Sequence, residues 1–293
     1  MPELPEVETV RSGLEKLLVG RSCTALEQLW SAAFSAQAGR IETHLIGQPV
    51  CAIRRLGKGL LIDLSNQWCL VVHLKMTGQL VFVDPDNQDR FAAGHPSDSL
   101  VDQLPDRSTR LVFSFGKAKL YFNDQRKFGW VKLLSRHEAA QLPFFAALGP
   151  DALAPSLDAD SFLERFSRKK GSPIKAALLD QTIVAGVGNI YADEALWGAE
   201  IHPSRTCSSI QKPEWVRLFT ALQAVLRLSI AQGGSTNRNY VDAEGKRGAY
   251  LDFAAVYNRQ GKACKRCGQA IQKIRVAGRG THICTNCQPE PNK

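Results

Sequence analysis

The sequence predicts an α+β protein with an N-terminal helix on a two-layer β-sandwich, then a helical domain, then a small C-terminal β-hairpin. Three observations predict this order. Short runs that often alternate apolar and polar residues fill 41–134, which is typical of antiparallel sheets with one solvated face. Apolar residues at helical spacing dominate 160–232. Two Cys-x2-Cys pairs follow near the C-terminus, in the pattern of a metal site.

The N-terminus combines an amine and an acid just before a predicted helix over 5–18. The apolar residues on one face of this helix are Val7, Val10, Leu14, Leu17 and Leu18. After removal of Met1, Pro2 is a free secondary amine with a pKa of about 7.7–8.0, which the positive helix end lowers. Together with the Glu3 carboxyl group, such an amine can attack a sugar or carbonyl carbon while the acid moves the accompanying proton. The structural alternative is that Pro-Glu simply opens the helix.

Seven strands are predicted for the sandwich domain, which we assign to residues 1–149. They cover 50–53, 60–64, 69–73, 79–83, 110–115, 119–122 and 130–133. Residues 84–109 interrupt this pattern because they are rich in Asp, Gln, Ser and Pro. We therefore predict that they form a flexible surface loop.

A helical domain is predicted over 150–258, after a Gly-Pro linker at 149–155. Its helices are predicted at 160–168, 174–179, 192–197 and 213–232, and the apolar stripe of the last is expected to be core. A glycine-rich turn at 186–191 precedes one of these helices. Such a turn exposes backbone N–H groups that bind phosphate, or it is a plain connector between helices.

The C-terminal segment, 259–293, carries the four cysteines that we predict as ligands of one structural zinc ion. Cys264, Cys267, Cys284 and Cys287 have the spacing of a closed four-thiolate site, which leaves no position for chemistry. The alternative is two disulfides. The absence of a signal peptide or membrane span predicts a cytoplasmic protein, in which metal binding is favoured. The remaining cysteines are predicted to be ordinary buried thiols: Cys23, Cys51, Cys69 and Cys207.

The charge balance favours a polyanionic partner. The chain has 37 Lys and Arg residues against 28 Asp and Glu residues, for a net charge of +9 and a pI near 9.2. Residues 262–287 include six basic residues and no acid, and Gly278 and Gly280 flank Arg279 in the expected hairpin turn. Such a distribution suggests nucleic acid or another acidic partner.

Four motifs together resemble the bacterial formamidopyrimidine-DNA glycosylase family over essentially the whole chain. They are the Pro-Glu-Leu-Pro-Glu start at 2–6, the Gly-Val-Gly-Asn-Ile-Tyr turn at 186–191, the segment 240–246, and the finger segment 278–284. The resemblance implies a β-sandwich, a helix–two-turn–helix domain and a zinc finger. It also implies base-excision repair of oxidised purines in damaged double-stranded DNA, namely 8-oxoguanine opposite cytosine and formamidopyrimidines.

The resemblance implies three catalytic residues. The Pro2 nitrogen would attack C1′ of the damaged nucleotide and form an iminium (Schiff-base) intermediate, and β- and δ-elimination would then cut the strand. Glu3 would protonate the sugar ring oxygen, and Lys58 would lie near the lesion and its phosphate. Without the family, Lys58 would be an exposed turn lysine. Glu6 is expected to orient the N-terminus.

The resemblance also implies a set of DNA contacts. Met76 would fill the hole left by the flipped base, while Arg126 and Phe128 would contact the orphaned cytosine and wedge the opposite strand. Without the family, Met76 and Phe128 would be core residues. The predicted phosphate contacts are His73, Asn189, Tyr257 and Arg279, and Lys246 lies in the loop expected to close over the flipped base. The resemblance implies no organic cofactor and no membrane. We expect a monomer that acts at the bacterial nucleoid.

Two other functions are compatible with parts of the sequence. Endonuclease VIII is similar but usually begins Pro-Glu-Gly-Pro-Glu and prefers oxidised pyrimidines; Leu4 and the residues at 76, 126 and 128 favour the purine enzyme. A non-catalytic DNA- or RNA-binding protein would use only the glycine turn and the finger. Such a protein needs no free Pro2 amine, Glu3 or Lys58.

Overall fold

A computed structural model describes residues 2–87, 89–95, 103–235 and 250–290, and these form two compact units. The first unit contains the described parts of Met1–Ala146 and Gln232–Ala249, and the second those of Ala147–Ala231 and Tyr250–Lys293. The division into three domains at 149/150 and 258/259 stays a prediction. Within the described ranges, no helix is long and apolar enough to cross a membrane.

The first unit is a two-layer sandwich with a helix at its start. The strands are β1 Ala25–Gln28, β2 Phe34–Ser35, β3 Val50–Leu56, β4 Gly59–Leu64, β5 Trp68–His73, β6 Gly78–Asp84, β7 Asp89–Gly94, β8 Thr109–Phe115, β9 Ala118–Asp124 and β10 Trp130–Ser135. One sheet has the strand order β1-β8-β9-β6-β7 and the other β2-β10-β5-β4-β3, and neighbours are antiparallel except β10 and β2. The helices are α1 Leu4–Leu18, α2 Arg40–His44, α3 Arg136–Ala140 and α4 Pro143–Ala146, with a 3-10 turn at Ser31–Ala33.

Helix α1 packs its apolar face into the core of this sandwich. Val7, Val10, Leu14 and Leu18 are fully buried and belong to one hydrophobic cluster with residues of both sheets. The cluster forms because inward-facing residues alternate along the strands and meet between the layers. The predicted helix and the seven predicted strands are therefore present, with ends shifted by a few residues.

The segment 84–109 is not only a loop, contrary to the prediction. Strand β7 lies within it and pairs with β6 along its whole length. Phe91 and Ala93 of β7 are buried in the core cluster, and this burial outweighs the polar composition of the flanking residues. Strands β1 and β2 were also not predicted; β1 is largely exposed and β2 has only two residues, so neither carries an alternating pattern.

The second unit combines short helices with a two-stranded hairpin. Its elements are α5 Ala159–Phe166, α6 Ile174–Leu178, α7 Asn189–Gly198, α8 Lys212–Ala231, α9 Tyr250–Phe253, β11 Gln272–Val276 and β12 Arg279–Ile283, with 3-10 turns at Ser167–Lys169 and Cys207–Ser209. The predicted core stripe of α8 is confirmed by the buried residues Trp215, Leu218, Leu222, Leu226 and Ser229.

The hairpin turn in this unit differs slightly from the prediction. Val276 pairs with Arg279, so the turn consists of Ala277 and Gly278 alone. Both have positive φ, at 46° and 77°, as a two-residue hairpin loop requires. Gly280 is part of β12 and not of the turn, and Arg279 begins that strand immediately after the turn.

Candidate active site and nucleic-acid interface

The predicted nucleophile lies at a buried N-terminus that Glu6 holds in place. Pro2 is buried and Glu3 is only 3% exposed. One Glu6 carboxylate oxygen accepts the Glu3 N–H at 2.8 Å, and the other accepts the Ser235 N–H at 2.8 Å. Gly234 has φ +89°, and a Cβ there would lie 3.3 Å from the Glu6 side chain. Glu6 therefore joins the start of α1 to a tight glycine turn, as expected of a residue that orients the N-terminus.

Lys58 is buried and close to His73, and is not an exposed turn lysine. It follows Gly57 (φ 55°) in the turn between β3 and β4 and is 7% exposed. Gly59 pairs directly with His73 across β4 and β5, which brings the two predicted site residues together. Burial first, and then the Lys75 and Lys58 charges, lower the pKa of His73 to about 3.

The low pKa of His73 keeps its imidazole neutral, and a backbone hydrogen bond fixes which nitrogen carries the proton. The Lys75 N–H donates to Nδ1 at 3.0 Å, so Nδ1 is an acceptor and Nε2 carries the hydrogen. The ring packs edge-on against Phe144 at a centroid distance of 4.8 Å. His73 is therefore a fixed, neutral N–H donor beside a buried cation.

Met76 and Phe128 lie at exposed turns and not in the core. Met76 is 37% exposed in the turn between β5 and β6, and Phe128 is 53% exposed in the loop between β9 and β10. The Arg126 guanidinium carbon lies 4.7 Å from the centroid of the Phe128 ring. Gly78 pairs with Asp124, so the turn and the loop leave the same end of one sheet. Exposed apolar side chains beside a cation suit contact with nucleic-acid bases.

In the second unit, three predicted phosphate contacts lie on or beside β12. Asn189 is the first residue of α7, and its Nδ2 donates to the Gly280 carbonyl oxygen at 3.1 Å. Arg279 is exposed one residue earlier. The Tyr257 ring packs edge-on against His282 of β12 at 5.1 Å. The N-terminus of α7 adds a positive dipole end to this cluster.

Two buried charges that were not predicted from the sequence, Lys175 and Asp193, hold β12 against the helices of this unit. Lys175 Nζ lies 2.6 Å from Asp193 Oδ1 and donates to Thr281 Oγ1 at 2.7 Å. Asp193 Oδ2 accepts the His282 N–H at 2.9 Å. The available signal was an acidic pair, Asp193 and Glu194, inside an otherwise apolar helix.

Glu194 was missed as well, and it organises the segment that carries Tyr257. Its carboxylate accepts the backbone N–H groups of Ala255, Val256 and Tyr257 at 2.7, 2.9 and 2.7 Å. A single buried carboxylate with three such donors fixes the local backbone. Lys246, the remaining predicted DNA contact, lies outside the described residues.

The four finger cysteines fit a zinc ion. Their sulfur atoms all lie within 4.8 Å of one another, with Cys264 and Cys287 3.9 Å apart and Cys267 and Cys284 3.4 Å apart. Tetrahedral zinc–thiolate bonds place sulfurs about 3.8 Å apart. Burial alone would raise the pKa of Cys264, but hydrogen bonds from the Arg266 and Cys267 backbones and the Trp197 indole lower it to about 6.

The remaining cysteines are buried with one exception. Burial raises the pKa of Cys23 and Cys207 to about 11 and that of Cys69 to about 12, as expected of ordinary core thiols. Cys51 is exposed, so its predicted burial is wrong. It lies beside a register shift between Val50 and Ala52 on an edge strand, where the side chain faces outward.

Three family models match the chain in the order of the predicted segments. The formamidopyrimidine-DNA glycosylase N-terminal domain matches residues 1–131, and the corresponding H2TH domain matches 148–241. A zinc finger found in FPG and IleRS matches residues 261–289. The last match agrees with the sulfur geometry, so the four cysteines hold one structural zinc ion.

Curated relatives and solved structures resemble the chain over nearly its whole length. The formamidopyrimidine-DNA glycosylase of Herpetosiphon aurantiacus is 44% identical over 291 residues, covering 98% of this chain and 100% of that protein. The Chloroflexus aurantiacus protein of the same name is 41% identical over 290 residues, covering 98% of each.

Among solved structures, two of the Lactococcus lactis enzyme bound to DNA are each 34% identical with a TM-score of 0.85. The match to a Lactococcus variant in complex with DNA that contains Fapy-dG covers 99% of this chain, and the match to the complex with abasic-site DNA covers 98%. Both matches cover 100% of the Lactococcus chain. The chain therefore belongs to the formamidopyrimidine-DNA glycosylase family of bifunctional DNA glycosylases and abasic-site lyases, which act in base-excision repair.

Proposed function

We propose that this protein removes 8-oxoguanine opposite cytosine and formamidopyrimidines from damaged double-stranded DNA, and then cleaves the strand by β,δ-elimination. The observation that carries the proposal is the buried N-terminus, where Glu6 fixes the backbone of Glu3 next to Pro2. The Lactococcus structures with Fapy-dG and abasic-site DNA support the substrate class. Action as a monomer in the bacterial cytoplasm is part of the same proposal.

The first chemical step replaces the bond to the base with a bond to the protein. After Met1 is removed, the neutral Pro2 nitrogen attacks C1′, and the base leaves with the electron pair of the glycosidic bond and takes up a proton. Glu3 donates a proton to the ring oxygen as the sugar opens, which leaves an iminium between Pro2 and C1′. The helix α1 N-terminus favours this chemistry because its positive end disfavours protonation of the amine.

Two eliminations then cut the strand. The iminium makes the C2′ proton acidic, and its loss expels the 3′ phosphate; a second elimination expels the 5′ phosphate. Lys58 supplies a cation near these phosphates, and it is nearly removed from water, which strengthens its interaction with an anion. Hydrolysis of the remaining iminium regenerates Pro2.

The first unit also supplies the contacts that recognise the lesion. His73 donates its Nε2–H to a backbone phosphate as a neutral group. Met76 fills the vacancy left by the flipped base, Arg126 contacts the orphaned cytosine, and Phe128 wedges the opposite strand. The exposure of these last three side chains supports the assignment, since core residues are not available to DNA.

In the second unit, Asn189, Tyr257 and Arg279 bind backbone phosphates. Arg279 is exposed at the tip of the finger, and Asn189 lies at a helix N-terminus, which are both suitable places for an anion. Such contacts position the duplex without reading its sequence. Lys246, outside the described residues, is proposed to close over the flipped base.

The test compares Pro2→Gly and Glu3→Gln with wild type on duplexes that carry 8-oxoguanine opposite cytosine or thymine glycol. We expect both variants to bind the duplex, Pro2→Gly to lose cleavage, and Glu3→Gln to be slower by about 10²–10⁴-fold. Wild type should prefer 8-oxoguanine. Preference for thymine glycol would indicate an endonuclease VIII-like specificity. Unchanged function in both variants would instead indicate a protein that only binds nucleic acid.

A further inference from the structure

A buried carboxylate lies between the Met76 turn and the Phe128 loop. Asp124 is the last residue of β9 and is fully buried, and its partner across the sheet is Gly78, the first residue of β6. The chain before Gly78 forms the turn that carries Met76, and the chain after Asp124 forms the loop that carries Phe128. The carboxylate is therefore at the base of both.

The hydrogen bonds of Asp124 join these two segments. One carboxylate oxygen accepts the Thr77 hydroxyl group and the Arg126 N–H, the latter at 3.2 Å. The other accepts the Gly129 N–H at 2.6 Å. The Thr77 oxygen itself accepts the Arg126 N–H at 3.0 Å. The Asp124 carboxylate and the Thr77 hydroxyl group thus hold both ends of the loop that presents Phe128. Thr77 itself belongs to the turn that carries Met76.

The backbone of both segments needs such support. Lys75 and Lys127 have φ of 52° and 58°, a left-handed conformation that costs non-glycine residues roughly 1–3 kcal/mol when it is imposed. A Cβ on Gly129 would lie 3.1 Å from Asp124 Oδ2 and 2.7 Å from the Phe122 ring. The loop is therefore packed directly on the Asp124 carboxylate, and there is no room for a side chain at position 129.

The side chains that these segments present are not held by a core. Met76 and Phe128 are exposed, so the direction in which each points depends on its backbone. We propose that Asp124, acting with Thr77, is a positioning residue that keeps Met76, Arg126 and Phe128 in one fixed arrangement ready to enter the base stack. This inference rests on the proposed function, in which those three side chains occupy and read the vacated position.

The variants that test this proposal differ by single polar groups. Asp124→Asn keeps the shape of the side chain but replaces one carboxylate oxygen, an acceptor, with an NH2 donor that faces backbone N–H groups. Thr77→Val removes only the hydroxyl group, and Thr77→Ser retains it. Asp84→Asn is the matched control, because Asp84 is also nearly buried (3% exposed) on the same sheet and pairs with Arg21 away from both segments. Melting temperatures of all four establish that each variant is folded.

Three readouts separate positioning from general damage. The first is excision of 8-oxoguanine opposite cytosine, resolved into KM and kcat. The second is cleavage at a preformed abasic site, where no base has to be expelled. The third is the fluorescence of 2-aminopurine placed beside the lesion, which rises when the stack is opened on binding.

We expect Asp124→Asn and Thr77→Val to lower excision by about 10- to 100-fold, mainly through kcat, and to lose the 2-aminopurine signal. Cleavage at the abasic site should stay within about threefold of wild type, because neither substitution changes Pro2, Glu3 or Lys58. Thr77→Ser should restore excision, and Asp84→Asn should match wild type.

Two results would overturn the positioning role. In the first, Asp124→Asn and Thr77→Val excise 8-oxoguanine as fast as Asp84→Asn does and give the same 2-aminopurine signal. The other is an equal loss of excision and abasic-site cleavage, which indicates general damage. If the wild-type protein excised neither 8-oxoguanine nor formamidopyrimidines, the proposed function would be wrong. The 2-aminopurine signal on binding would then still decide the role of Asp124.

Discussion

The two units hold their functional segments by different physical means. In the first, hydroxyl and backbone N–H groups surround the buried Asp124, and a large sandwich core supports them. In the second, the Lys175–Asp193 ion pair and four cysteine sulfurs hold the hairpin segment, where one small buried cluster of the described residues consists of Val256, Cys264, Ile271 and Cys284. A segment too small to bury much apolar surface depends on metal and charge instead.

Zinc removal should give the largest effect and should be confined to the second unit. Structural zinc contributes about 10–16 kcal/mol of apparent binding energy in isolated fingers, so the metal-free hairpin should unfold. We expect duplex binding to be lost while the thermal transition of the sandwich persists. Metal analysis and calorimetry of Cys264→Ser check this, with Cys51→Ser as the control because Cys51 is exposed outside the site. Full zinc content in Cys264→Ser would contradict the four-sulfur assignment.

Breaking the buried ion pair should give the next largest effect. Lys175→Met leaves the Asp193 charge buried without its cation and should destabilise the protein by about 3–5 kcal/mol in denaturant unfolding. The control is Lys169→Met, whose pair with Asp180 is partly exposed and should cost about 0–1 kcal/mol. If Lys175→Met and Lys169→Met lowered the free energy of unfolding equally, the buried ion pair would contribute no more to stability than the partly exposed one.

Acid should weaken the first unit through His73. Its folded pKa of about 3 lies below the unfolded value of ~6.5, so the unfolded chain binds a proton first as the pH falls. The stability contributed by neutral His73 is complete above pH ~6.5 and is lost toward pH ~3, at up to about 1.4 kcal/mol per pH unit. The free energy of unfolding of wild type and His73→Gln, measured from pH 7 to pH 4, should therefore diverge in slope. Parallel curves would be inconsistent with a buried neutral imidazole.

Loss of the exposed finger cation should give the smallest effect, and only on binding. Arg279→Ala should reduce the slope of log affinity against log salt by about 1 for a lesion duplex, without changing stability. Arg227→Ala, which removes an exposed cation of α8, serves as the control and should leave the slope unchanged. An Arg279→Ala slope equal to that of wild type would remove Arg279 from the phosphate contacts.

Much of the fold was predictable because its signals are local. Helix α1 begins and ends within one residue of the prediction, since its apolar spacing and its stop lie in one short segment. The four-cysteine site was predictable for the same reason. Strand β7 was not, because its pairing with β6 and its buried Phe91 are tertiary facts that the polar flanking residues conceal.

The residues that organise the site were the least predictable. Asp124, Lys175 and Asp193 are charged, and from sequence alone a charged residue is expected on the surface. Their burial depends on partners far away in the chain: Thr77 is 47 residues from Asp124, and Thr281 is 106 residues from Lys175. Motifs identified the side chains expected to contact DNA, whereas only the structure identified the side chains that hold them.

Borohydride trapping on a duplex carrying 8-oxoguanine opposite cytosine shows directly whether the Pro2 amine is the nucleophile. The protein should be zinc-loaded, with Met1 shown to be absent by mass spectrometry. We expect a covalent protein–DNA adduct whose crosslinked peptide maps to Pro2. An adduct that maps to Lys58 or another lysine, or no adduct from wild type, would contradict a mechanism based on the N-terminal amine.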